Sequence, residues 1–380
     1  MRDDGKARLA ALGPLKGRGA GSRVPGRFEQ RSASREDDGW GSGHDFSDAT
    51  GEALEPGPAT VVTAERARSI ISRNQSPDVG FSQSVNPYRG CEHGCVYCFA
   101  RPSHAYLDLS PGLDFETRLF AKANAVELLR AELAQPRYRC SPIALGVNTD
   151  AYQPLERRER ITRGLLEVLA DTRHPVHIIT KNALVLRDLD LLAPMAEQGL
   201  VQVSLSVTTL DNRLAARMEP RASAPHARLR AIAGLHAAGV PVSVMVAPVI
   251  PALTDAELEA ILEAARAAGA GGASYVLLRL PHELKELWRE WLAQHAPDRA
   301  AHVMSLVGQM RGGRDYDSTF GRRMRGEGPF AELIAARFAR AWRRLGFTPS
   351  PPLDCSRFVP PPRPERAGAG PAGPAQGQLF

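Results

Sequence analysis

The chain has 380 residues, 43% of them hydrophobic and 24% charged, with a formal net charge of +6. That composition fits a globular protein of one large domain with tails or two small ones, and no apolar run reaches the roughly 18 residues of a membrane-spanning helix. Five cysteines are too few for a disulfide scaffold, and the N-terminus lacks a secretory apolar core, so a cytoplasmic protein is expected.

Residues 1–58 are rich in Gly, Arg, Ser and Asp and show almost no apolar periodicity. Such a stretch buries too little surface to offset its ordering entropy, and a disordered basic tail is expected there. A short strand is predicted at 82–86, leading into Asn86-Pro-Tyr-Arg-Gly-Cys91-Glu-His-Gly-Cys95-Val-Tyr-Cys98. The spacing of Leu119, Val126, Leu129 and Leu133 predicts a helix over 115–133. Strands then follow at 143–148, 176–180, 201–207, 241–247 and 274–279, alternating with helices at 157–170, 185–198, 225–238, 256–268 and 283–295.

Six strands alternating with helices imply parallel units with right-handed crossovers. No G-x-G-x-x-G or Walker sequence follows any strand, which disfavours a dinucleotide-binding Rossmann unit. Six units are fewer than the eight of a closed TIM barrel. The expected fold is therefore α/β, an open partial (β/α)6 barrel over residues 59–300. Residues 301–347 read as a helical extension, and 348–380 as a Pro/Gly/Ala-rich tail. Within the extension, 311–325 places five arginines around Tyr316 and Phe320. This suits phosphate contact and base stacking, or equally a solvated loop.

Cys91, Cys95 and Cys98 are spaced C-x3-C-x2-C. Iron–sulfur clusters are held mainly by thiolates, and three ligands for a four-iron cluster would leave one iron open. Zinc held by the three sulfurs with His93 or His104 is the alternative, and free thiols a further one. In β/α barrels chemistry collects at the C-terminal ends of strands. That rule selects Thr149 and Asp150, Lys181, Ser204 and Ser206, Val249 and Ile250, and Arg279. Lys181 suits a carboxylate, the hydroxyls suit hydrogen-bonding partners, and Val249 and Ile250 offer an apolar surface.

Cys91, Cys95, Cys98 and the aromatic Tyr97 resemble the signature of the radical S-adenosylmethionine (SAM) superfamily. The longer pattern from Asn86-Pro-Tyr onward is similar to the spore-photolyase-like branch, often labelled DNA repair photolyases. The resemblance implies a partial TIM-like barrel, a [4Fe–4S] cluster on the three cysteines, and S-adenosyl-L-methionine chelated to the open iron. It implies reductive cleavage of SAM to a 5′-deoxyadenosyl radical that abstracts hydrogen from a substrate, with an electron donor such as flavodoxin or ferredoxin. SAM contacts carry over to Tyr97, Thr149, Asp150, Lys181, Ser204 and Ser206, with the hydroxyls toward the ribose and Val249 and Ile250 lining the adenine pocket. One departure stands out: spore photolyases carry a hydrogen-returning cysteine near the end of the second strand, where this chain reads Gly146-Val-Asn-Thr-Asp150. Cys140 precedes that strand by enough residues to lie more than roughly 20 Å from its far end.

The terminal Gln376-Gly-Gln378-Leu379-Phe380 resembles the peptide by which bacterial repair proteins dock on the sliding clamp. The expected function is a radical SAM enzyme acting on nucleic acid. Modification of RNA, a peptide or a small metabolite is the alternative within the class. A metal-stabilised, DNA-associated binding protein is the alternative outside it.

Overall fold

The computed structural model describes residues 14–29 and 58–362. Ten strands are present among the described residues: β1 (Val61–Glu65), β2 (Ile71–Arg73), β3 (Gln83–Val85), β4 (Tyr88–Arg89), β5 (Arg118–Lys122), β6 (Ile143–Leu145), β7 (Val176–Thr180), β8 (Val201–Ser206), β9 (Val242–Val249) and β10 (Gly272–Leu277). Seven form one sheet in the order β10-β9-β8-β7-β6-β3-β2. Six of these are parallel, and β2 lies antiparallel at the edge. The edge strands β10 and β2 are not paired with each other, so the sheet is open, as the count of six units predicts. All six predicted strands are present within a few residues.

Alternation explains the layers. Val176 and Ile178, Val201, Val203 and Leu205, and Val242, Val244 and Val246 are buried against the surrounding helices. On the other face, Ile179 pairs with Ser204 and Ser204 with Ser243, so the sheet interior is lined by smaller and more polar groups.

Several expectations need correcting. The helix predicted over 115–133 is two helices, Leu113–Thr117 and Ala125–Leu133, separated by β5. Leu119 and Ala121 are buried alternately, a period of two that the helical count absorbed, and β5 forms a three-stranded sheet between β1 and β4. The helix at 157–170 is interrupted at Arg160, whose φ of 52° is left-handed. The helix at 185–198 opens as a 3₁₀ turn, Ala183–Asp188, before Leu189–Glu197.

Both expected tails contain ordered parts. Residues 14–29 dock on the cysteine loop, with Leu15, Ala20 and Val24 buried, Arg23 paired with Asp114 and Arg27 with Glu283. Pairing and burial in a separate part of the fold are not visible in local composition. At the other end, residues 348–359 form a strap across the N-terminal ends of the strands. The amides of Thr348, Asp354 and Val359 donate to the carbonyls of Gly271, Gly199 and Thr172. Phe358 packs on Tyr138 and His174, with ring centroids 5.5 and 5.1 Å apart. Phe358→Ala is expected to cost about 2 kcal/mol, below the full value for a wholly buried ring because this one is half-buried. Urea denaturation measures it, and an unchanged midpoint would mean that the strap contributes nothing.

The helical extension comprises Pro297–Gln309, Arg322–Arg325 and Gly328–Arg344. Its middle turn bridges the open seam of the sheet. Arg325 lies over the Tyr275 ring of β10 at 3.9 Å, while Gly321 N donates to Asp78 at 2.6 Å and Arg323 binds Asp78 and Ser76 in the loop between β2 and β3.

Candidate cluster and cofactor site

The cysteine loop leaves the top of β3 and is held by buried groups from three directions. Arg101, wholly buried, donates to the carbonyls of Cys95 (2.8 Å), Gly94 (3.1 Å), Gly112 (2.9 Å) and Pro111 (3.2 Å), and its last N–H meets the buried carboxylate of Glu116. The same carboxylate accepts from the amides of Gly19 and Ala20 at 3.0 and 2.9 Å. Gly19 passes so close that a Cβ there would stand 1.8 Å from the Gly94 carbonyl oxygen, so only glycine allows the approach.

From β6, the Thr149 hydroxyl donates to Gly90 O at 2.6 Å, and Gln153 spans Gly90 O and Glu92 N. Gly146 makes the turn into this segment with φ 85°, and a Cβ there would strike Ile179 O at 2.0 Å. From β7, the loop residue His93 is fixed at both nitrogens: Nδ1 faces Asp150 at 3.3 Å and Nε2 accepts from Asn182 at 3.0 Å. Burial would raise the Asp150 carboxyl, but the attraction and hydrogen bond of His93, with the Thr180 hydroxyl and the Lys181 amide, hold it down at about 2.

A fourth group positions Tyr97. Its hydroxyl meets Glu219, which also accepts from Thr208 at 2.8 Å and pairs with the buried Arg228. Lys181 Nζ stands 5.8 Å from the centroid of the Tyr97 ring.

The three thiols, Tyr97, Thr149, Asp150, Lys181 and Ser206 all line one cavity at the strand ends. Ser204 faces the same interior one layer deeper, against His177 Nε2 at 2.8 Å, and is not part of the cavity wall. Val249 and Ile250, expected at an adenine ring, are wholly buried in the apolar core and are not part of the cavity wall. The apolar lining comes instead from Phe99, Met245, Ala247 and Val276, with Val79, Phe81 and Met324 supplied by the two sides of the bridged seam. Those contributors are far apart in sequence and carry no local signal. The parity of β9 and β10 would have pointed to Met245, Ala247 and Val276.

The thiols suit a multi-iron cluster. Burial pushes those of Cys91 and Cys95 up, Cys91 further beside Asp150 and Cys95 beside Glu219. Iron reverses that by supplying the positive charge that thiolates require. Among the described residues no three His, Cys, Asp or Glu side chains converge to hold a single ion, and His93, one of the two histidines offered for zinc, is held at both nitrogens. His104 binds Arg118 O at 3.0 Å among aromatic rings, and burial lowers it to about 4.

The arginine-rich link, read as a phosphate-contacting patch or equally a solvated loop, carries arginines engaged within the fold. Arg311 is buried and donates to Leu278 O and Arg322 O, Arg323 holds Asp78, and Arg322 pairs with Glu327 at 3.1 Å. Cys140 and Cys355 are partly exposed neighbours at the strap end of the sheet, away from the cavity. Residues 376–380, with the clamp-like peptide, lie outside the described residues.

An open parallel sheet that presents three thiols and a lysine at its strand ends is the frame of an iron–sulfur enzyme. The radical SAM superfamily description matches residues 85–265. An uncharacterised protein of Mycobacterium tuberculosis is 42% identical over 228 residues, 60% of this chain and 67% of that one. An uncharacterised protein of Methanocaldococcus jannaschii is 27% identical over 192 residues, 50% and 69% of the two chains. Among solved structures, spore photoproduct lyase complexed with dinucleoside spore photoproduct matches at TM-score 0.51 and 12% identity, covering 75% of this chain and 80% of that one. A mutant of the same lyase with bound AdoMet and dinucleoside spore photoproduct matches at TM-score 0.53 and 13% identity, covering 76% and 82%. The chain belongs to the radical SAM superfamily. It is a radical SAM enzyme, and the cofactors of that family are a [4Fe–4S] cluster and SAM. No helix among the described residues is long and apolar enough to cross a membrane.

Proposed function

We propose that Cys91, Cys95 and Cys98 hold the cluster, that Lys181 and Ser206 bind SAM, and that the substrate is nucleic acid. The observation carrying this reading is that the three thiols, Lys181 and Ser206 share one cavity wall. The bound cluster and SAM supply reductive cleavage and, from it, hydrogen abstraction. The protein's own groups do the positioning. The Lys181 ammonium, beside the Tyr97 ring, attracts the carboxylate of the methionine end. The Ser206 hydroxyl offers a partner to a ribose hydroxyl. Thr149 and Asp150 act indirectly, since their polar atoms are used to brace the loop and His93. The apolar remainder of the wall excludes water from a reactive carbon centre.

A nucleic-acid substrate is supported by the fold shared with a lyase whose structure holds a dinucleoside photoproduct and by the +6 charge. Cys140 and Cys355 stand at the opposite end of the sheet from the cavity, so the reaction of the spore lesion itself, with its cysteine hydrogen donor, is not the one proposed.

The test is SAM cleavage by anaerobically reconstituted protein under dithionite, following 5′-deoxyadenosine by chromatography with and without ultraviolet-damaged DNA. Cleavage stimulated severalfold by damaged DNA is expected. Cleavage indifferent to any DNA would overturn the substrate and turn the search to RNA, peptides and metabolites. No cleavage with an intact cluster would overturn the enzyme site.

A further inference from the structure

Arg279 lies just beyond the last strand and lines the same cavity, beside the residue that follows Cys98. Its guanidinium lies 4.9 Å over the ring of Phe99, and Nη1 reaches only the thioether sulfur of Met324 at 3.4 Å, a weak acceptor. Its Nε is buried and has no hydrogen-bond partner. Arg279 forms no ion pair among the described residues. The nearby carboxylate of Asp78 is already taken by Arg323 and the Gly321 amide. The neighbouring cation, Arg311, donates to Leu278 O and Arg322 O, leaves its own buried Nε without a partner, and adds positive charge rather than removing it. A guanidinium with spare donors on a mostly apolar wall is costly unless an anion completes it. Lys181 sits at the cluster end of the cavity, over Tyr97, and is the cation placed for the carboxylate of SAM. Arg279 is therefore left for a second anion. Phe99 is 44% exposed beside it and presents a ring of the kind on which bases stack.

We propose that Arg279 and Phe99 form the substrate anchor, with the guanidinium binding a phosphodiester of the nucleic acid and the ring stacking on an adjacent base. This rests on the nucleic-acid reading above.

The test uses full-length protein with its cluster reconstituted and a fluorescein-labelled single-stranded hexadeoxynucleotide, followed by anisotropy. A second hexamer carries uncharged methylphosphonate linkages. Arg279→Gln is expected to weaken the phosphodiester hexamer about tenfold and to lower the slope of log K against log salt by about one. Arg279→Lys is expected to fall between, and the methylphosphonate hexamer to lose little with either. Equal losses for both hexamers would mean a merely structural arginine and would overturn the anchor. Unchanged binding by Arg279→Gln would do the same while leaving a nucleic-acid substrate standing. A wild-type protein that binds neither hexamer would overturn the nucleic-acid reading and the anchor with it.

Discussion

Replacing Cys95 with alanine is expected to abolish both the cluster and SAM cleavage while leaving the fold in place. Two remaining thiolates cannot hold four irons, and no other cysteine lines the cavity to substitute. The apoprotein loses one buried sulfur at a position only 8% exposed, a cost of about 1 kcal/mol. Iron content, the brown charge-transfer absorbance and 5′-deoxyadenosine formation should fall together to background, with far-ultraviolet dichroism unchanged. Cys355→Ala, on the strap at the other end of the sheet, is the control and should keep all three. SAM cleavage persisting in Cys95→Ala would show that the thiols do not form the site.

The second large effect is expected at Arg101, which no cluster motif includes. Arg101→Ala leaves the Glu116 carboxylate buried without its cation and four loop carbonyls without their donor. Removing one partner of a buried pair costs about 3–5 kcal/mol. The loss should be seen as a lower urea midpoint in the apoprotein, before any iron is added. Arg101→Lys keeps the charge but not the planar fork, so it should recover only part of the stability. Because the fork fixes Gly94 O and Cys95 O, both variants should also retain less iron after gel filtration. A midpoint within 1 kcal/mol of wild type, by the same criterion, would refute this role.

How far the sequence could be read follows from how local each signal is. The three cysteines lie within eight residues, and the parallel strands are short β-branched runs, so the loop and the open sheet were legible. Thr149, Asp150, Lys181 and Ser206 follow from the rule that strand ends carry chemistry, and they do reach the cavity. Val249 lies at the end of β9, where the pairing with β10 shifts register, and it is buried in the apolar core rather than on the cavity wall. Leu119 and Ala121 fit a helix count as well as a strand count, and only pairing with β1 and β4 decides between them. Arg101 with Glu116, and Gly19 with Gly94, depend on distant segments packing together, for which one sequence gives no pattern. The same is true of the strap, whose Pro-rich composition reads as tail until its amides find carbonyls at the strand starts.

The strap beneath the strands and the turn that bridges the seam leave the strand-end mouth as the way into the cavity. On the assignments proposed above, a cofactor against the cysteine loop and a substrate at Arg279 and Phe99 share that one cavity. Steady-state kinetics then reads the order in which they bind, and a velocity that declines at high substrate concentration would mark the substrate as blocking the cofactor's entry.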